Sequence, residues 1–362
     1  MLTAMKKQID RSLAVFLAKA KKEYNFQLID PILYDSIKDF VLREGKRIRP
    51  ILLICSYKGY SRQNRRLNPS IYYVSTCIEL LHNFMLVHDD IIDRSDLRRG
   101  KPTMHRLLMK AAHHPEAERL GGDLAIVAGD IIYALAIDAF LSIKEDHQRK
   151  EQALKYFIQT AVFTAMGEFI DTLHGVRSVA AVSEKDIFLN YALKTARYTF
   201  DCPLVVGAIL AGAPKKDIKT LAEFGLLIGE AFQIQDDIIG IFDTEKNIGK
   251  SVLSDIAESK KTILVSHAYQ KLSPQERKKF LAHFKESKTT TQDLEAIRKI
   301  FIQTGSLAYS LAEITKRIAR AEKILAKLSM KPRYRQMIAK ALFHLFLHSQ
   351  EIAQQNPHPK AA

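Results

Sequence analysis

Glycine and proline are scarce in this chain, at 15 and 11 of 362 residues, while 47% of the residues are hydrophobic. That balance excludes a disordered or low-complexity protein and leaves enough apolar surface for a large core. No Pro-, Gly- or Ser-rich stretch and no block of one charge divides the sequence. One domain is therefore expected over residues 1–351, with a polar C-terminal tail over 352–362. There are only three cysteines, Cys55, Cys77 and Cys202, each within an apolar run. This argues against a disulfide framework or a zinc centre and points to buried thiols in a reducing compartment. Met1 to Arg11 lack the apolar core and cleavage site of a secretory leader, and no run approaches the ~18 apolar residues that a membrane span needs. The expectation is a soluble, cytoplasmic protein with no dedicated membrane anchor.

Carboxylates are outnumbered, 40 Asp and Glu against 55 Lys and Arg, giving a net charge of +15. The excess favours anionic partners: nucleic acid, acidic lipid heads or phosphorylated substrates. A nucleic-acid binder would gather its basic residues with aromatics or on one recognition helix. Here Lys19, Lys38 and Lys110 are dispersed singles, so no nucleic-acid partner is expected and solvated helix faces explain most of the excess.

Strand-like alternation is also hard to find. Between Ile71 and Ile92 the apolar residues Val74, Ile78, Leu81, Met85 and Ile92 recur at three- and four-residue steps, the period of a long helix. The same period returns around Leu124 to Ile143, Leu154 to Leu173, Ile187 to Leu210, Ile218 to Ile239, Lys260 to Leu272 and Ile297 to Leu328. An all-α fold follows. Ser183 with Asp186, and Ser273 with Glu276, have the spacing in which a hydroxyl and a carboxylate cap a helix start, and Pro274 fits a first helical position.

The first group with chemistry is Asp89-Asp90-Ile91-Ile92-Asp93, at the polar end of the long helix. At ~100° per residue, positions four apart lie ~40° from one another, so Asp89 and Asp93 share a face with Asp90 beside them. Magnesium takes oxygen ligands and is often held by one or two carboxylates plus phosphates. Alone, such a cluster is commonly an exposed acidic turn. Arg98-Arg99-Gly100 follows at once, however, and arginine binds phosphate oxygens in bidentate fashion. A second group, Phe232-Gln233-Ile234-Gln235-Asp236-Asp237, closes another apolar helix, so two acidic helix ends could face one cavity. Gly249-Lys250, Asp255 and Lys260-Lys261 lie beyond it, and a third basic group, Gly45-Lys46-Arg47-Ile48-Arg49-Pro50, stands early in the chain.

Taken in order, these motifs resemble those of the trans-isoprenyl diphosphate synthase (polyprenyl synthetase) family, which includes farnesyl and geranylgeranyl diphosphate synthases. The matching segments are Gly45 to Pro50, Asp89 to Gly100, Lys194-Thr195, Phe232 to Asp237 and Gly249-Lys250, and the resemblance runs roughly from Leu33 to Leu328. It implies a single large helical bundle of the isoprenoid synthase type with a central cavity, a homodimer, and two substrates, isopentenyl diphosphate and an allylic diphosphate. It further implies that Asp89 and Asp93 hold two magnesium ions and Asp236 a third, with Asp90 and Asp237 beside them in the catalytic set. Arg98, Lys194, Lys250 and Lys260 would complete the allylic diphosphate pocket. Lys46, Arg49, His82 and Arg99 would hold isopentenyl diphosphate without metal.

The implied reaction is an ionisation. Magnesium and basic residues stabilise the departing pyrophosphate, the isopentenyl double bond attacks the allylic cation, and pyrophosphate takes the proton. Thr195 and Gln233 would place dipoles near the cation. The chain departs from many relatives at Gly240, where a third carboxylate is usual and Asp243 is the nearest substitute, and at Gly167-Glu168, where Gly-Gln is usual. Bulk beneath Asp89, at Phe84 and Met85, resembles that of enzymes that stop at the twenty-carbon geranylgeranyl product, with the fifteen-carbon farnesyl product as the alternative. A terpene cyclase would have no use for the second basic pocket of Lys46, Arg49 and Arg99. A non-catalytic partner subunit would lack Asp89, Asp93 and Asp236.

Overall fold

The computed structural model describes residues 2–61, 70–111, 114–243, 259–284 and 290–356. In chain order the helices begin with α1 (Leu2–Glu23), α2 (Pro31–Leu42), α3 (Ile48–Tyr60) and α4 (Ser70–Ile92). A hairpin of β1 (Leu97–Arg98) and β2 (Lys101–Pro102) precedes α5 (Met104–Ala111), α6 (Ala117–Leu141) and α7 (His147–Val176). Next come α8 (Glu184–Asn190), a π-helical stretch (Tyr191–Asp201), α9 (Cys202–Ala211) and α10 (Lys215–Phe242). The last are α11 (Ile263–Lys271), α12 (Pro274–Leu281), α13 (Thr291–Gln303), α14 (Ser306–Ala326), α15 (Pro332–Phe343) and α16 (Leu347–Gln355). The fold is all-α, as the periodicity requires, and the one hairpin among the described residues is too short for alternation to reveal it.

Helix starts follow local chemistry. Asp30 accepts from the Ile32 N–H at 3.0 Å with Pro31 in the first turn, and the expected capping boxes at Ser183/Asp186 and Ser273/Glu276 are joined by a third at Thr290/Asp293. The helical pattern read from Ile187 to Leu210 is three pieces, with the π-helical stretch between α8 and α9.

The chain divides into two compact units. The first comprises Met1–Gln159, Pro203–Ile218 and Ser329–Tyr334; the second comprises Thr160–Cys202, Lys219–Leu328 and Arg335–Ala362. In the first, α1 buries Ile9, Leu13, Phe16 and Leu17, and α4 buries Val74, Ile78 and Leu81 of the stripe read from the sequence, with Ile71 and Cys77, whereas Met85 is half-buried and Ile92 is 45% exposed. Each such buried side chain contributes about 1.5–3 kcal/mol relative to exposure. All three cysteines are buried and none forms a disulfide. In the second unit, α10 buries Phe224, Ile228, Ala231, Ile234 and Ile238. A Cβ on Gly167 of α7 would lie 2.4 Å from the Lys194 nitrogen, and one on Gly229 of α10 would lie 2.3 Å from Ala196. Only glycine lets these two helices press so closely on the π-helical backbone.

Two expectations are corrected here. Helix α6 is long and apolar enough, by length and composition, to cross a membrane, with a mean hydropathy of 2.0 over a window that is 44% buried. Asp123, Asp130 and Asp138 break the apolar run in its sequence, and Ala125, Ala128, Ile132, Ala136 and Ala139 are fully buried, as in a core helix. Helical structure also continues past residue 351 to Gln355, because Ile352 is buried.

Candidate active site

In the first unit α4 delivers the acidic cluster. The Asp93 N–H closes the last turn onto the Asp89 carbonyl at 2.8 Å, Arg94 adopts a positive φ of 51°, and the Ser95 N–H returns to the Asp90 carbonyl at 2.9 Å. Carboxylate oxygens of Asp89 and Asp93 lie within 4.8 Å of one another, so the shared face read from the sequence is real. The hairpin then turns at Arg99 (φ 55°) and Gly100 (φ 71°), and positive φ at both centre residues is what a type I′ turn demands. That turn brings Arg98 back onto the helix end. Its Nε donates to Asp90 Oδ1 at 2.8 Å and its Nη2 to Asp89 Oδ2 at 3.2 Å. Burial pushes the Asp90 carboxyl up to about 6 in spite of Arg98. Burial opposes the Arg98 charge, but Asp90 and Asp89 outweigh it and raise its pKa.

The early basic motif meets the same hairpin. Arg99 Nη1 donates to the Arg43 carbonyl at 3.3 Å, and the Arg99 guanidinium lies 3.2 Å from where a Cβ on Gly45 would be. Lys46 is exposed and Arg49 half-buried. Arg47, which the sequence offers only as a spacer, is the anchor: it is buried in a left-handed conformation (φ 51°) and donates to Asp10 at 2.8 Å, to Glu79 and to the Arg43 carbonyl at 2.8 Å. His82 is held neutral, its pKa driven well below the ordinary value by burial and then by the charges of Arg49, Arg99, Arg98 and Arg47. Of the four residues predicted for the metal-free pocket, Arg49 and Arg99 act on the third, His82, and Lys46 is not among the charges that reach it. Phe84 packs its ring against Tyr133 of α6 and against His88, at 4.9 and 4.7 Å.

In the second unit Lys194 projects from the π-helical stretch to Asp171 at 2.6 Å and Glu168 at 3.1 Å on α7. Glu168, the residue that departs from the usual Gly-Gln, thus stands against Lys194. Burial would raise the Asp171 pKa, but Lys194, Lys260 and the hydrogen bonds from Lys194 and Asn190 lower it, so both lysines lie in reach of one carboxylate. Thr195 Oγ1 donates to Gln233 Oε1 at 2.6 Å, and Gln233 Nε2 donates to Asp237 Oδ1 at 3.0 Å. Asp236 is exposed while Asp237 is buried. Asp243 is no free substitute at the Gly240 position, since its carboxylate meets His348 Nε2 at 2.5 Å. Lys250, with Gly249 and Asp255, lies outside the described residues. Sequence reasoning missed Arg47, Asp171 and Tyr191, the last a buried phenol whose hydroxyl meets Asp237. As an aromatic in an apolar helical run, Tyr191 carries no signal beyond that of a core residue.

The polyprenyl synthetase family model matches residues 30–301. The chain belongs to that family. The protein is accordingly a trans-prenyltransferase. It is 33% identical over 252 residues to a short chain isoprenyl diphosphate synthase of Methanocaldococcus jannaschii, covering 70% of this chain and 71% of that one. It is also 33% identical to a geranylgeranyl diphosphate synthase of Sulfolobus acidocaldarius, over 78% of this chain and 81% of the relative. The crystal structure of the geranylgeranyl pyrophosphate synthase of Corynebacterium glutamicum, complexed with isoprenyl diphosphate and magnesium, superposes with a TM-score of 0.88 at 25% identity, covering 95% of this chain and 99% of that one.

Proposed function

We propose that the protein condenses isopentenyl diphosphate head to tail (1'-4) with an allylic diphosphate, and that its product is geranylgeranyl diphosphate. The observation that supports this reading is the presence of two groupings of different composition within the first unit. One, at Asp89, Asp93 and Arg98, mixes carboxylates with a guanidinium; the other, around His82, Arg49 and Arg99, has basic side chains about a neutral ring. An enzyme with two diphosphate substrates, only one of which loses its diphosphate, needs both.

The oxygen-only donor set of Asp89 and Asp93 fits magnesium, and Asp236 is assigned to it as well. When bound, magnesium supplies Lewis-acid neutralisation of a diphosphate. Arg98, Lys194, Lys260 and Lys250 are assigned to the oxygens of the allylic diphosphate, and their charge favours breakage of its C–O bond to an allylic cation. The Thr195 and Gln233 dipoles are assigned to that cation, with Asp237 orienting Gln233. Lys46, Arg49, Arg99 and neutral His82 hold isopentenyl diphosphate, whose double bond forms the new C–C bond. The proton released from the adjacent carbon passes to pyrophosphate, so no protein base is required. Phe84 and Met85 set the twenty-carbon limit.

Residues 1–351 act in this reading as one catalytic domain, supported by the continuity of the family match across both units. A homodimer is part of the proposal. Its support is exposed apolar surface: Ile126 and Val127 of α6 are 44% and 54% accessible in the first unit, and Val162, Met166 and Phe169 of α7 are 55%, 49% and 68% accessible in the second. The reaction is placed in the cytoplasm, where free thiols persist. The test is incubation with Mg²⁺ and labelled isopentenyl diphosphate, offered with dimethylallyl, geranyl or farnesyl diphosphate. A twenty-carbon product abolished by EDTA is expected. A fifteen-carbon product would overturn the length assignment alone, and no incorporation from any primer would overturn the synthase reading.

A further inference from the structure

Tyr191 opens the π-helical stretch three residues before Lys194 and is 5% exposed. Its hydroxyl has two partners in the second unit. It donates to Asp237 Oδ2, and it accepts the Ile263 N–H at 3.0 Å. Ile263 is the first residue of α11, so this N–H is one of the first-turn donors that have no acceptor in their own helix. Asp237 accepts on its other oxygen from Gln233 Nε2. A carboxylate can only accept, so the Gln233 amide must turn its NH₂ toward Asp237 and its carbonyl toward the Thr195 hydroxyl, which donates to it. The Asp237 carboxylate thus sets the direction of the row, accepting from Tyr191 and from Gln233, which in turn accepts from Thr195, while Tyr191 accepts the Ile263 N–H and, by donating to Oδ2, holds that carboxylate in place. Thr195 keeps its oxygen lone pairs because its proton is already committed.

The same hydroxyl joins two stretches of chain. Lys260 lies three residues before Ile263, and Lys261 is pinned by the carbonyls of Gly175 and Ser259 at 2.8 and 2.7 Å. Lys194 and Lys260 both act on Asp171. We infer that Tyr191 is a positioning residue which, through Asp237, fixes the orientation of the Gln233 amide and the Thr195 hydroxyl, and which docks the segment carrying Lys260 beside Lys194. This rests on the prenyl-transfer reading for what Gln233, Thr195 and the lysines act upon, but the docking itself does not.

Tyr191→Phe keeps the ring and removes the hydroxyl. The expected result is a fall of about ten- to hundredfold in kcat, a rise in KM for the allylic diphosphate, and an unchanged KM for isopentenyl diphosphate. Asp237→Asn, which can donate as well as accept, should lower kcat similarly, and the double variant should be no worse than the poorer single one. Hydrogen exchange over residues 260–271 should quicken in Tyr191→Phe while α1 exchanges as before. Additive losses in the double variant, an unchanged kcat, or faster exchange throughout the chain would overturn the inference. A wild-type protein without turnover would sink the prenyl-transfer reading, and the exchange measurement would still decide the docking.

Discussion

Phe84 on α4 and Tyr133 on α6 hold their ring centroids 4.9 Å apart, inclined by 36°, one helical turn and a residue before Asp89. In the proposed function Phe84 limits product length, and a ring in contact with it would share that role; such pairs contribute about 0.5–1.5 kcal/mol beyond their area. Phe84→Ala should therefore lengthen the products beyond the wild-type limit. Phe84→Ala with Tyr133→Ala should lengthen them further, since Tyr133 alone still blocks part of the opening. Chromatography of dephosphorylated products reads this directly, and an unchanged distribution in the double variant would place the stop elsewhere.

Arg47 is an interior cation beside the proposed metal-free pocket, and Glu79, 2% exposed, faces it from α4. Removing one member of a buried pair leaves the other charge uncompensated, which typically costs about 3–5 kcal/mol. Glu79→Ala should lose stability of that order in urea denaturation. Asp10 remains as a partner at 2.8 Å, but its side chain is 41% exposed and offsets little of the loss. Asp10→Ala should therefore be much milder than Glu79→Ala.

How much of this could be read from residues alone depends on whether the signal is local. Asp89 and Asp93 are legible because four residues along a helix is one face, and the helix period around Val74, Ile78 and Leu81 is strong. The capping boxes at Ser183 and Ser273 are legible for the same reason. The partners of Arg98, the anchoring role of Arg47 and the bond from Tyr191 to Asp237 span from 8 to 46 residues of sequence, and no spacing rule encodes them. The π-helical stretch was read as ordinary helix because its buried residues still recur near the helical period. The Arg99-Gly100 turn leaves no periodic signal, since two-residue strands are too short to alternate.

His82 gives the first unit an acid sensitivity whose sign can be worked out. Its folded pKa lies well below the ordinary 6.5 because of burial and four arginines, whereas in the unfolded chain it returns to that value. As pH falls below 6.5 the unfolded state takes up a proton that the folded state refuses, so stability declines with falling pH and rises as pH rises toward 6.5. One such proton changes the slope by at most about 1.36 kcal/mol per pH unit. His82→Gln removes the proton acceptor, so melting temperature plotted from pH 7 to 5 should fall less steeply than in the wild type. Parallel curves would mean that His82 titrates alike in both states.

Glu168 bears on the proposed allylic diphosphate pocket through Lys194. The ammonium lies between Asp171 at 2.6 Å and Glu168 at 3.1 Å, with Lys194 and Glu168 each about one-fifth exposed. Two carboxylates on one lysine overcompensate its charge and compete with any diphosphate for its protons. Glu168→Gln keeps an acceptor and the side-chain length but withdraws one negative charge, while Asp171 continues to hold Lys194 in place. Partly solvent-screened pairs of this kind are worth about 0.2–1 kcal/mol, so KM for the allylic diphosphate should fall by at most about fivefold, with the effect fading as salt rises. Asp171→Asn should behave differently, because Asp171 also accepts from Asn190 at 2.8 Å and its loss leaves both Lys194 and Lys260 without their common carboxylate. There kcat should drop. If Glu168→Gln instead raises the KM, Glu168 orients Lys194 rather than restraining it, and the steady-state comparison of these two variants separates the cases.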